Sequence, residues 1–465
     1  MPLTPCRTPD QLHAWVRLFV GLDVPRVAAC DGHDAPFDYL ARAYFEPASD
    51  LVVWAPRGGG KTRLAAVATL LDLLHKPGTA VRVLGGSLEQ SMKLWDYLLP
   101  DLTRLGKGLF RGGREPRETA RRVRLTNGSD AAVLTQSQRA VRGLRVQKLR
   151  CDEVELFDAN VWEAAQLATR SKKGSGAAIE AASTHHRPGG LMGRVIDGAK
   201  ARGTKVVRWC LMDVLARCEP ERECKTCTLW DECRGRAKSN TSGFVSVADA
   251  ITMKGRVSKE TWESEMLCRR PSSRGCVFPD FDEARHVRRF EGEADGWAIG
   301  VDFGYAAPFV ALWVATCGEV VHVVDEYLVA GRTVPEHASA MLARPWRANR
   351  VLCDPAGAAI VGQTGSSDAA VLRKAGFRVQ FRASRIVEGL ELIRRRLSPA
   401  DGSEPRLLVD PRCKTLILAM RSYRYPDGGG EKPLKDGVHD HPIDALRYAL
   451  VNLERPVAMS EHGGY

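Results

Sequence analysis

The sequence predicts an α/β protein made of two successive domains, and three observations support this prediction. A chain of 465 residues exceeds what one hydrophobic core usually supports. In the first half, an apolar strand-like run leads through a glycine-rich turn into a helical pattern. In the second half, three closely spaced apolar runs are followed by a helical pattern and a fourth apolar run. Strands and helices therefore combine in both halves, which indicates two α/β units.

We expect five segments along the chain. A helical lead-in over 1–48 precedes a first α/β domain over 49–234, which contains the glycine-rich turn and the four-cysteine insert at 218–233. Residues 235–295 are rich in basic and small polar residues and are expected to connect this domain to the next. A second α/β domain follows over 296–456, and 457–465 are expected to form a flexible tail.

The most informative stretch is Leu51–Thr62, in which an apolar run precedes three glycines, a lysine and a threonine. This is the pattern of a phosphate-binding loop between a strand and a helix, although Ala55 stands where the usual pattern has its first glycine. We expect Lys61 to reach the β- and γ-phosphates of a nucleotide and Thr62 to bind Mg²⁺. Consecutive glycines let successive backbone N–H groups face one anion. These glycines are Gly58, Gly59 and Gly60.

Two later strands are predicted to end in polar residues beside this loop. Gln147–Val154 contains an apolar strand that ends in the acids Asp152 and Glu153. In phosphate-loop ATPases the first such acid holds Mg²⁺ and the second polarises the attacking water. Ala177–Thr184 is another buried strand, and its terminal hydroxyl residues are candidates to sense the γ-phosphate. These are Ser183 and Thr184.

Two arginines are candidates to stabilise charge in the transition state of phosphoryl transfer. Arg57 lies within the glycine-rich loop, and Arg142 lies in the stretch Arg139–Gly143 just before the acidic strand. A contact to DNA is the alternative role for either arginine.

The segment between these motifs predicts further regular structure. A strand is expected over 79–87 and a helix over 88–102. Residues 120–135 alternate around Asn127-Gly128, which predicts a β-hairpin.

The chain has 13 cysteines, most of which are expected to be free thiols in the core, such as Cys151 and Cys353. Four of them follow the spacing C-x5-C-x2-C-x5-C in what is expected to be an inserted loop. Four thiolates can close a tetrahedral Zn²⁺ site or hold an iron–sulfur cluster. A chance cluster of free thiols is the alternative. The four are Cys218, Cys224, Cys227 and Cys233.

The second half places acids in an informative order. Asp302 lies on the first apolar strand, Asp354 ends the fourth strand, and Asp444 lies in the first turn of a late helix. This is the layout of the RNase H-like nuclease fold, in which three carboxylates converge on two divalent metal ions that cleave a phosphodiester. Glu326 and Asp440 are auxiliary candidates for the same site. A buried acid that only makes structural hydrogen bonds is the alternative for any single one of them.

Charge favours a polyanionic partner. Lys and Arg outnumber Asp and Glu by 68 to 56, a net charge of +12, and residues 104–150 hold 13 basic and 3 acidic residues. This pattern favours nucleic acid, although a solvated basic surface is the alternative. No apolar run reaches the length of a membrane span, and the N-terminus lacks a signal-peptide pattern, so we expect an intracellular protein.

Taken together, the motifs resemble the large terminase subunit of tailed bacteriophages, and the resemblance covers roughly residues 35–455. The motifs are Ala55–Thr62, Cys151–Glu153, Ser183–Thr184, Val277–Phe281, Val301–Gly304, Cys353–Asp354 and Asp440–Tyr448. The cysteine loop departs from the best-known members of that family.

This resemblance implies an ATP-driven motor that docks on the portal of an empty prohead, where it forms a ring-shaped homo-oligomer. It implies translocation of double-stranded DNA, cutting of concatemers by the nuclease, and a small terminase subunit as a partner. It also implies ATP with Mg²⁺ at the first site and Mg²⁺ or Mn²⁺ at the second. The protein would act in the cytoplasm of the bacterial host and be absent from the mature virion. In the terms of that family, Lys61 and Thr62 are Walker A, Asp152 and Glu153 are Walker B, and Ser183-Thr184 is the coupling motif.

Two other classes of protein fit the sequence less well. A helicase–nuclease of DNA repair would need a second RecA-like domain, for which 465 residues leave little room. A regulatory ATP-binding module with an inert nuclease fold would be favoured by loss of one carboxylate, but Asp302, Asp354 and Asp444 are all present.

Overall fold

The computed structural model describes residues 3–46, 48–113, 121–135, 137, 141–172, 175–187, 190–240, 242–271, 275–359, 366–426 and 432–454. Two compact units are present. The N-terminal unit comprises the described residues of Met1–Met253 and Glu260–Pro271, and the C-terminal unit those of Lys254–Lys259 and Ser272–Tyr465. The stretch 235–295, expected as a connection, is thus divided between both units. The expected tail, 457–465, lies outside the described residues.

The N-terminal unit is built on a sheet in the order β3-β4-β2-β5-β6-β1-β7. Its strands are β1 (Leu51–Trp54), β2 (Ala80–Gly85), β3 (Arg122–Arg124), β4 (Asp130–Leu134), β5 (Lys148–Asp152), β6 (Ala178–Ser183) and β7 (Val206–Arg208). All neighbours are parallel except β3 and β4, which pair antiparallel across Asn127-Gly128 as the predicted hairpin. The strand that carries the acids, β5, is separated from β1 by β6.

The central strands of this sheet are buried on both faces, and the following α-helices occur along residues 9–261. They are α1 (Pro9–Trp15), α2 (Pro36–Phe45), α3 (Lys61–His75), α4 (Leu88–Leu105), α5 (Ala159–Ala165), α6 (Leu191–Ala201), α7 (Trp230–Cys233), α8 (Val247–Lys254) and α9 (Lys259–Thr261). Short π segments follow α1 at Val16–Val20 and α9 at Trp262–Met266. Most residues of α3 are buried, which is why its sequence is apolar on all sides rather than amphipathic.

Parallel pairing fixes where the polar strand ends lie. In register, Trp54 of β1 faces Ser183 of β6, and Asp152 of β5 faces Ala182. The carboxyl ends of these three strands therefore meet at one edge of the sheet, where the loop 55–60 leaves β1. Ligands of open α/β sheets bind at such an edge.

The basic stretch 104–150 is not a uniform surface patch, because part of it is buried. Lys148 and Arg150 lie inside β5, and the Arg150 guanidinium donates to Asp72 (2.6 Å) and Glu180 (3.0 Å). These two residues lie in the core and do not contribute to an external basic surface. Exposed basic residues remain at 104, 107, 111, 121, 122, 124, 142 and 145.

The C-terminal unit is built on a second sheet, in the order β12-β11-β8-β9-β10-β13. Its strands are β8 (Gly296–Asp302), β9 (Phe309–Cys317), β10 (Val320–Val329), β11 (Arg350–Cys353), β12 (Arg378–Phe381) and β13 (Leu407–Val409). The first three form the predicted antiparallel meander, and β11 then pairs parallel with β8. Its helices are α10 (Glu283–His286), α11 (Val334–Leu342), α12 (Asp368–Lys374), α13 (Ile386–Leu397), α14 (Lys414–Ser422) and α15 (Asp440–Leu453).

Both faces of this sheet are covered, so its strands are apolar throughout. Along β9, Val310, Leu312 and Val314 join the core on the side of α13 and α15, whereas the alternate residues join the core on the other side. Helix α15 packs directly on β8. A Cβ at Gly300 would lie 2.5 Å from the Ala445 carbonyl oxygen, so only glycine allows this approach.

Among the described residues, no helix has both the length and the apolar character that crossing a membrane requires.

Candidate functional sites

The loop 55–60 requires its three glycines for different reasons. Gly58 (φ 70°) and Gly60 (φ 83°) adopt left-handed backbone conformations, which favour glycine. A Cβ on Gly59 would lie 2.5 Å from the Pro56 side chain. The Gly59 carbonyl also accepts a hydrogen bond from Trp209 Nε1 (2.9 Å), which ties the loop to the segment after β7. The loop leads into the N-terminus of α3, where backbone N–H groups favour an anion.

Lys61 and Thr62, the first two residues of α3, each contact an acid from the end of β5. Lys61 Nζ lies 2.7 Å from Glu153 Oε1, and Thr62 Oγ1 donates to Asp152 Oδ2 at 2.6 Å. Burial alone would raise the pKa of Glu153, but the Lys61 ammonium lowers it below its usual value. Burial raises the pKa of Asp152 despite the same ammonium. The structure therefore brings all four residues together.

Glu153 is held in an unusual backbone conformation, with φ 55°, immediately after β5. A positive φ in a residue other than glycine is uncommon and marks a functional or strained position. Ser183 Oγ donates to Glu153 Oε2 (3.3 Å) and accepts from the backbone N–H of Glu155 (3.2 Å). Ser183 thus links the acid to the segment that follows it.

Thr184 lies one residue further and contacts a histidine rather than an acid. Its Oγ1 is 2.9 Å from His186 Nδ1. Burial, together with Arg187, lowers the pKa of His186 to about 4, so the imidazole is neutral near Glu153. Sequence reasoning missed His186, because a histidine after a strand has no distinctive spacing.

The two arginine candidates are both exposed. The Arg57 side chain is 79% exposed and its Nη1 lies 3.5 Å from Glu265 Oε2. Arg142 is exposed in the turn before β5, and Arg139 lies outside the described residues. In the part of the chain that the structure describes, neither Arg57 nor Arg142 forms an ion pair with Asp152 or Glu153. Each arginine can therefore contact a bound or neighbouring molecule.

An open cavity of about 380 Å³ adjoins the phosphate loop. It is lined by Gly58–Leu64 and, on its sides, by Leu22–Pro25, Tyr97 and Phe244. Phe244 is 53% exposed, and its ring lies 3.1 Å from the position that a Cβ on Gly60 would take. Phe244 offers an exposed ring beside the loop, whereas the Arg63 guanidinium lies over the Tyr97 ring, 5.2 Å from its centroid. Phe244 is far from the loop in sequence, so no local pattern indicates that the two are neighbours.

The second candidate site lies where β8 and β11 end. Val301 of β8 pairs with Cys353 of β11, so the next residues, Asp302 and Asp354, lie at the same edge. Asp302 Oδ2 is 2.8 Å from His441 Nδ1. Burial raises the pKa of Asp302 to about 6; the His441 contact opposes this shift and the nearby Asp444 carboxylate adds to it.

Asp444 faces Arg447 one turn further along α15. Its Oδ1 accepts from Arg447 Nη2 (2.9 Å) and Nε (3.1 Å). Burial raises the pKa of Tyr448, and the carboxylates of Asp444, Asp302 and Asp354 all add to this shift. The three predicted acids therefore all act electrostatically on Tyr448, although each carboxylate bonds to a different protein partner.

The remaining acids have distinct roles. Asp354 Oδ1 accepts from the Ala356 backbone N–H (2.7 Å) and so caps the 3₁₀ turn Pro355–Ala358. Glu326 accepts the Thr415 and Leu416 backbone N–H groups at 2.8 and 2.9 Å, which commits both its oxygens to capping α14. Its auxiliary role at the nuclease site is therefore not supported. Asp440 is buried at the start of α15, and its Oδ1 has no hydrogen-bond partner among the residues that the structure describes.

Sequence reasoning missed His441, Arg447 and Tyr448. All three lie in the Asp440–Tyr448 motif. Asp444 and Arg447 are three residues apart on a helix, and this spacing predicts their ion pair from the sequence. The contact of His441 with Asp302 spans 139 residues and has no such signal.

The four loop cysteines lie together in the N-terminal unit. They line one small cavity of about 20 Å³, beside Leu229 and Trp230. Burial raises the pKa of Cys218; Arg222 opposes this shift, and Cys224, Cys233 and Cys227 add to it. Cys151 and Cys353 are buried free thiols, as expected.

Among the described residues, a different group has at least three potential metal ligands with all ligand atoms within 4.8 Å of one another. It consists of Cys30, His33, Cys210 and Asp213. In neither the four loop cysteines nor the three predicted nuclease acids do three ligand atoms lie within 4.8 Å of one another.

Comparisons with known proteins bear on both units. Residues 299–453 match the family model described as a terminase RNaseH-like domain. The large terminase subunit of Escherichia phage T5 is 23% identical over 243 residues, which cover 49% of this chain and 52% of that protein. The match thus spans about half the length of this curated relative.

Solved structures cover more of the chain. The large terminase of a thermophilic bacteriophage has a TM-score of 0.52 at 14% identity, covering 88% of this chain and 94% of that one. The complex of the same phage protein with ADP gives a TM-score of 0.51 at 15% identity with the same coverage. At these identities the similarity concerns the fold. The predicted fold class, a phosphate-loop α/β domain followed by an RNase H-like domain, is confirmed.

Proposed function

We propose that this chain is the large subunit of a phage terminase, which uses ATP to move double-stranded DNA into a prohead and cuts that DNA with a metal-dependent endonuclease. One observation carries the proposal. The same chain joins a phosphate loop with paired acids, Lys61–Glu153 and Thr62–Asp152, to a terminase RNaseH-like domain with its carboxylates at one sheet edge. One site suits the hydrolysis of ATP that drives DNA movement, and the other suits the cutting of that DNA.

The first site has the groups that ATP hydrolysis requires. Lys61 and the glycine-loop N–H groups would bind the phosphates. Thr62 Oγ1 and Asp152 Oδ2, which lie 2.6 Å apart, are hard oxygen donors that fit Mg²⁺. A bound Mg²⁺ supplies neutralisation of the charge that develops on the phosphates. Glu153 remains ionised beside Lys61 and would orient and deprotonate the attacking water.

Nucleotide binding would also change the contacts of Lys61. Its ammonium is held by Glu153 at 2.7 Å, and a γ-phosphate would compete for it. Glu153 would then be free to hold water, while Ser183 would transmit its position to the segment 154–156. In the same proposal, adenine stacks on the exposed ring of Phe244 beside the loop.

The second site fits two hard divalent cations. Asp302, Asp354 and Asp444 offer only oxygen donors, which suits Mg²⁺ or Mn²⁺. Such ions supply an activated water and stabilise the leaving oxygen of a phosphodiester. His441 would orient Asp302, and Arg447 would orient Asp444, since each contacts one carboxylate oxygen.

We extend the proposal to a metal in the cysteine loop, either Zn²⁺ or an iron–sulfur cluster. Its support is that all four cysteines line one cavity. Thiolates are ligands for either group.

The partners follow from the proposed activity. Double-stranded DNA is the substrate, and the net charge of +12 with exposed basic residues before β5 suits it. A ring of copies would assemble on the portal in the host cytoplasm and receive DNA from a small terminase subunit. The test is packaging in vitro: purified protein, cognate proheads, ATP and DNA should yield nuclease-protected DNA. Strand separation of duplex DNA without protection would instead favour a helicase–nuclease.

A further inference from the structure

Two short pieces of chain, far apart in sequence, meet in the N-terminal unit with four potential metal ligands. Cys30 and His33 lie before α2, and Cys210 and Asp213 lie after β7. Each pair has the spacing i,i+3, a spacing that metal-ligand pairs often use. The ligand atoms of all four residues lie within 4.8 Å of one another. This cluster is separate from the four loop cysteines.

The separations within the cluster suit a tetrahedral metal ion. The Sγ atoms of Cys30 and Cys210 are 3.7 Å apart. Two thiolates bound at the usual Zn–S distance of about 2.3 Å in a tetrahedron have their sulfurs roughly 3.8 Å apart. His33 Nδ1 and Asp213 Oδ2 are 2.6 Å apart, a hydrogen bond that a metal ion would replace with a modest outward movement.

The surroundings fix two of the ligands and leave access to the site. Asp213 and Cys210 are buried, whereas Cys30 and His33 are half-buried. Asp213 accepts backbone hydrogen bonds from Ala29, Cys30 and Cys210, so one carboxylate aligns both pieces of chain. A cavity of about 430 Å³ borders Ala29 and Asp213, beside the cluster.

Two simpler roles explain only part of the cluster. An ion pair between His33 and Asp213 accounts for those two residues but not for two thiols in contact with each other. A disulfide would account for the thiols, but its sulfurs would have to move from 3.7 Å to about 2.05 Å and an oxidant would be needed. Two sulfurs, one imidazole and one carboxylate are a donor set that suits Zn²⁺.

We propose that Cys30, His33, Cys210 and Asp213 form a zinc site that joins the segment before α2 to the segment after β7. The site lies next to a residue that contacts the nucleotide loop. Trp209, adjacent to Cys210, donates its Nε1–H to the Gly59 carbonyl. The ion would therefore hold in place the residue that supports the phosphate loop.

The test is the metal content of purified full-length protein, measured by elemental analysis with four forms of the chain. Cys30→Ser/Cys210→Ser should lose one zinc per chain relative to wild type. The control Cys317→Ser, in the other unit, should lose none. Cys224→Ser/Cys227→Ser removes two of the four loop thiols, and this variant should keep the zinc of the proposed site.

Cobalt substitution gives a second readout, which does not depend on the folding of the Cys30→Ser/Cys210→Ser variant. The Cys224→Ser/Cys227→Ser protein, loaded with Co²⁺, should show the intense visible bands of tetrahedral cobalt with thiolate charge transfer. His33→Ala in that background should shift these bands and weaken binding at least tenfold in chelator competition. Equal zinc in wild type and Cys30→Ser/Cys210→Ser, or a Cys30–Cys210 disulfide without zinc, would overturn the proposal.

Discussion

Gly300 of β8 lies against Ala445 of α15, so closely that a Cβ on Gly300 would stand 2.5 Å from the Ala445 carbonyl oxygen. The same Cβ would lie 2.7 Å from the Ala449 side chain. Asp302 is two residues from Gly300, and Asp444 is one residue from Ala445. The absence of a side chain at Gly300 therefore sets the distance between two of the predicted nuclease acids.

Gly300→Ala should push α15 away from β8 and weaken DNA cleavage more than ATP hydrolysis. Overpacking of this kind typically costs about 1–3 kcal/mol of stability. The checks are plasmid cleavage, ATP turnover and chemical denaturation of the same preparation. Gly296→Ala is the matched control, since among the described residues the atom within 4 Å of its Cβ would be the Thr316 hydroxyl oxygen, at 3.0 Å. Unchanged cleavage in Gly300→Ala would contradict the account of this contact.

Glu153→Gln should bind ATP but hydrolyse it roughly 10²–10⁴-fold more slowly, because an amide cannot accept the proton of the attacking water. Nucleotide binding is measured by fluorescence with a labelled analogue and hydrolysis by phosphate release. Glu163→Gln, on an exposed position of α5, is the control and should retain both. Normal turnover in Glu153→Gln would remove this acid from the proposed role.

Glu155 provides a test of pH dependence. The residue is 2% exposed, and within the described part of the chain its Oε1 has no hydrogen-bond partner. Burial raises its pKa from 4.5 to about 7. A raised carboxyl pKa means that the folded state holds a proton that the unfolded state releases. The stability from this group is therefore complete below about pH 4.5 and is lost as pH rises to about 7.

Glu155→Gln mimics the protonated carboxyl and should avoid that loss. The free energy of unfolding of the variant should exceed that of wild type by an amount that grows between pH 5 and 7 and levels off above pH 7. This difference should be on the order of 3 kcal/mol at most. Thermal unfolding across this pH range measures it, with Glu163→Gln as the exposed control. An advantage that does not change with pH would show that Glu155 is ionised in the folded protein.

The cysteine loop should bind a metal that depends on its own thiols. Anaerobic purification followed by zinc and iron analysis and a visible spectrum distinguishes the two candidates. A broad visible absorbance with iron indicates a cluster, and a colourless protein with zinc indicates a tetrahedral site. Cys224→Ser/Cys227→Ser should lose the loop metal while Cys317→Ser retains it. If that double variant holds as much zinc and iron as wild type, these thiols bind no metal.

Local patterns carried much of the prediction. The glycine loop, the acids after β5 and the order of the nuclease acids all depend on residues close in sequence or on the edges of parallel strands. The pairing of Cys30 with Cys210 spans 180 residues, and the contact of His441 with Asp302 spans 139, so no local pattern reports either. Counting charges also overestimated the basic surface of residues 104–150. Arg150 is included in that count, yet it is buried and forms ion pairs with the buried acids Asp72 and Glu180.

The central claim, that two separate sites in one chain hydrolyse ATP and cut DNA, is tested most directly by measuring both activities side by side. Purified wild type, Lys61→Ala and Asp302→Asn are compared for ATP turnover and Mn²⁺-dependent plasmid cleavage, with folding checked by circular dichroism. Lys61→Ala should lose ATP turnover and keep cleavage, because Lys61 contacts the acids of the nucleotide site. Asp302→Asn should lose most cleavage and keep ATP turnover. Cleavage at the wild-type rate in Asp302→Asn, or ATP turnover at the wild-type rate in Lys61→Ala, would contradict the account.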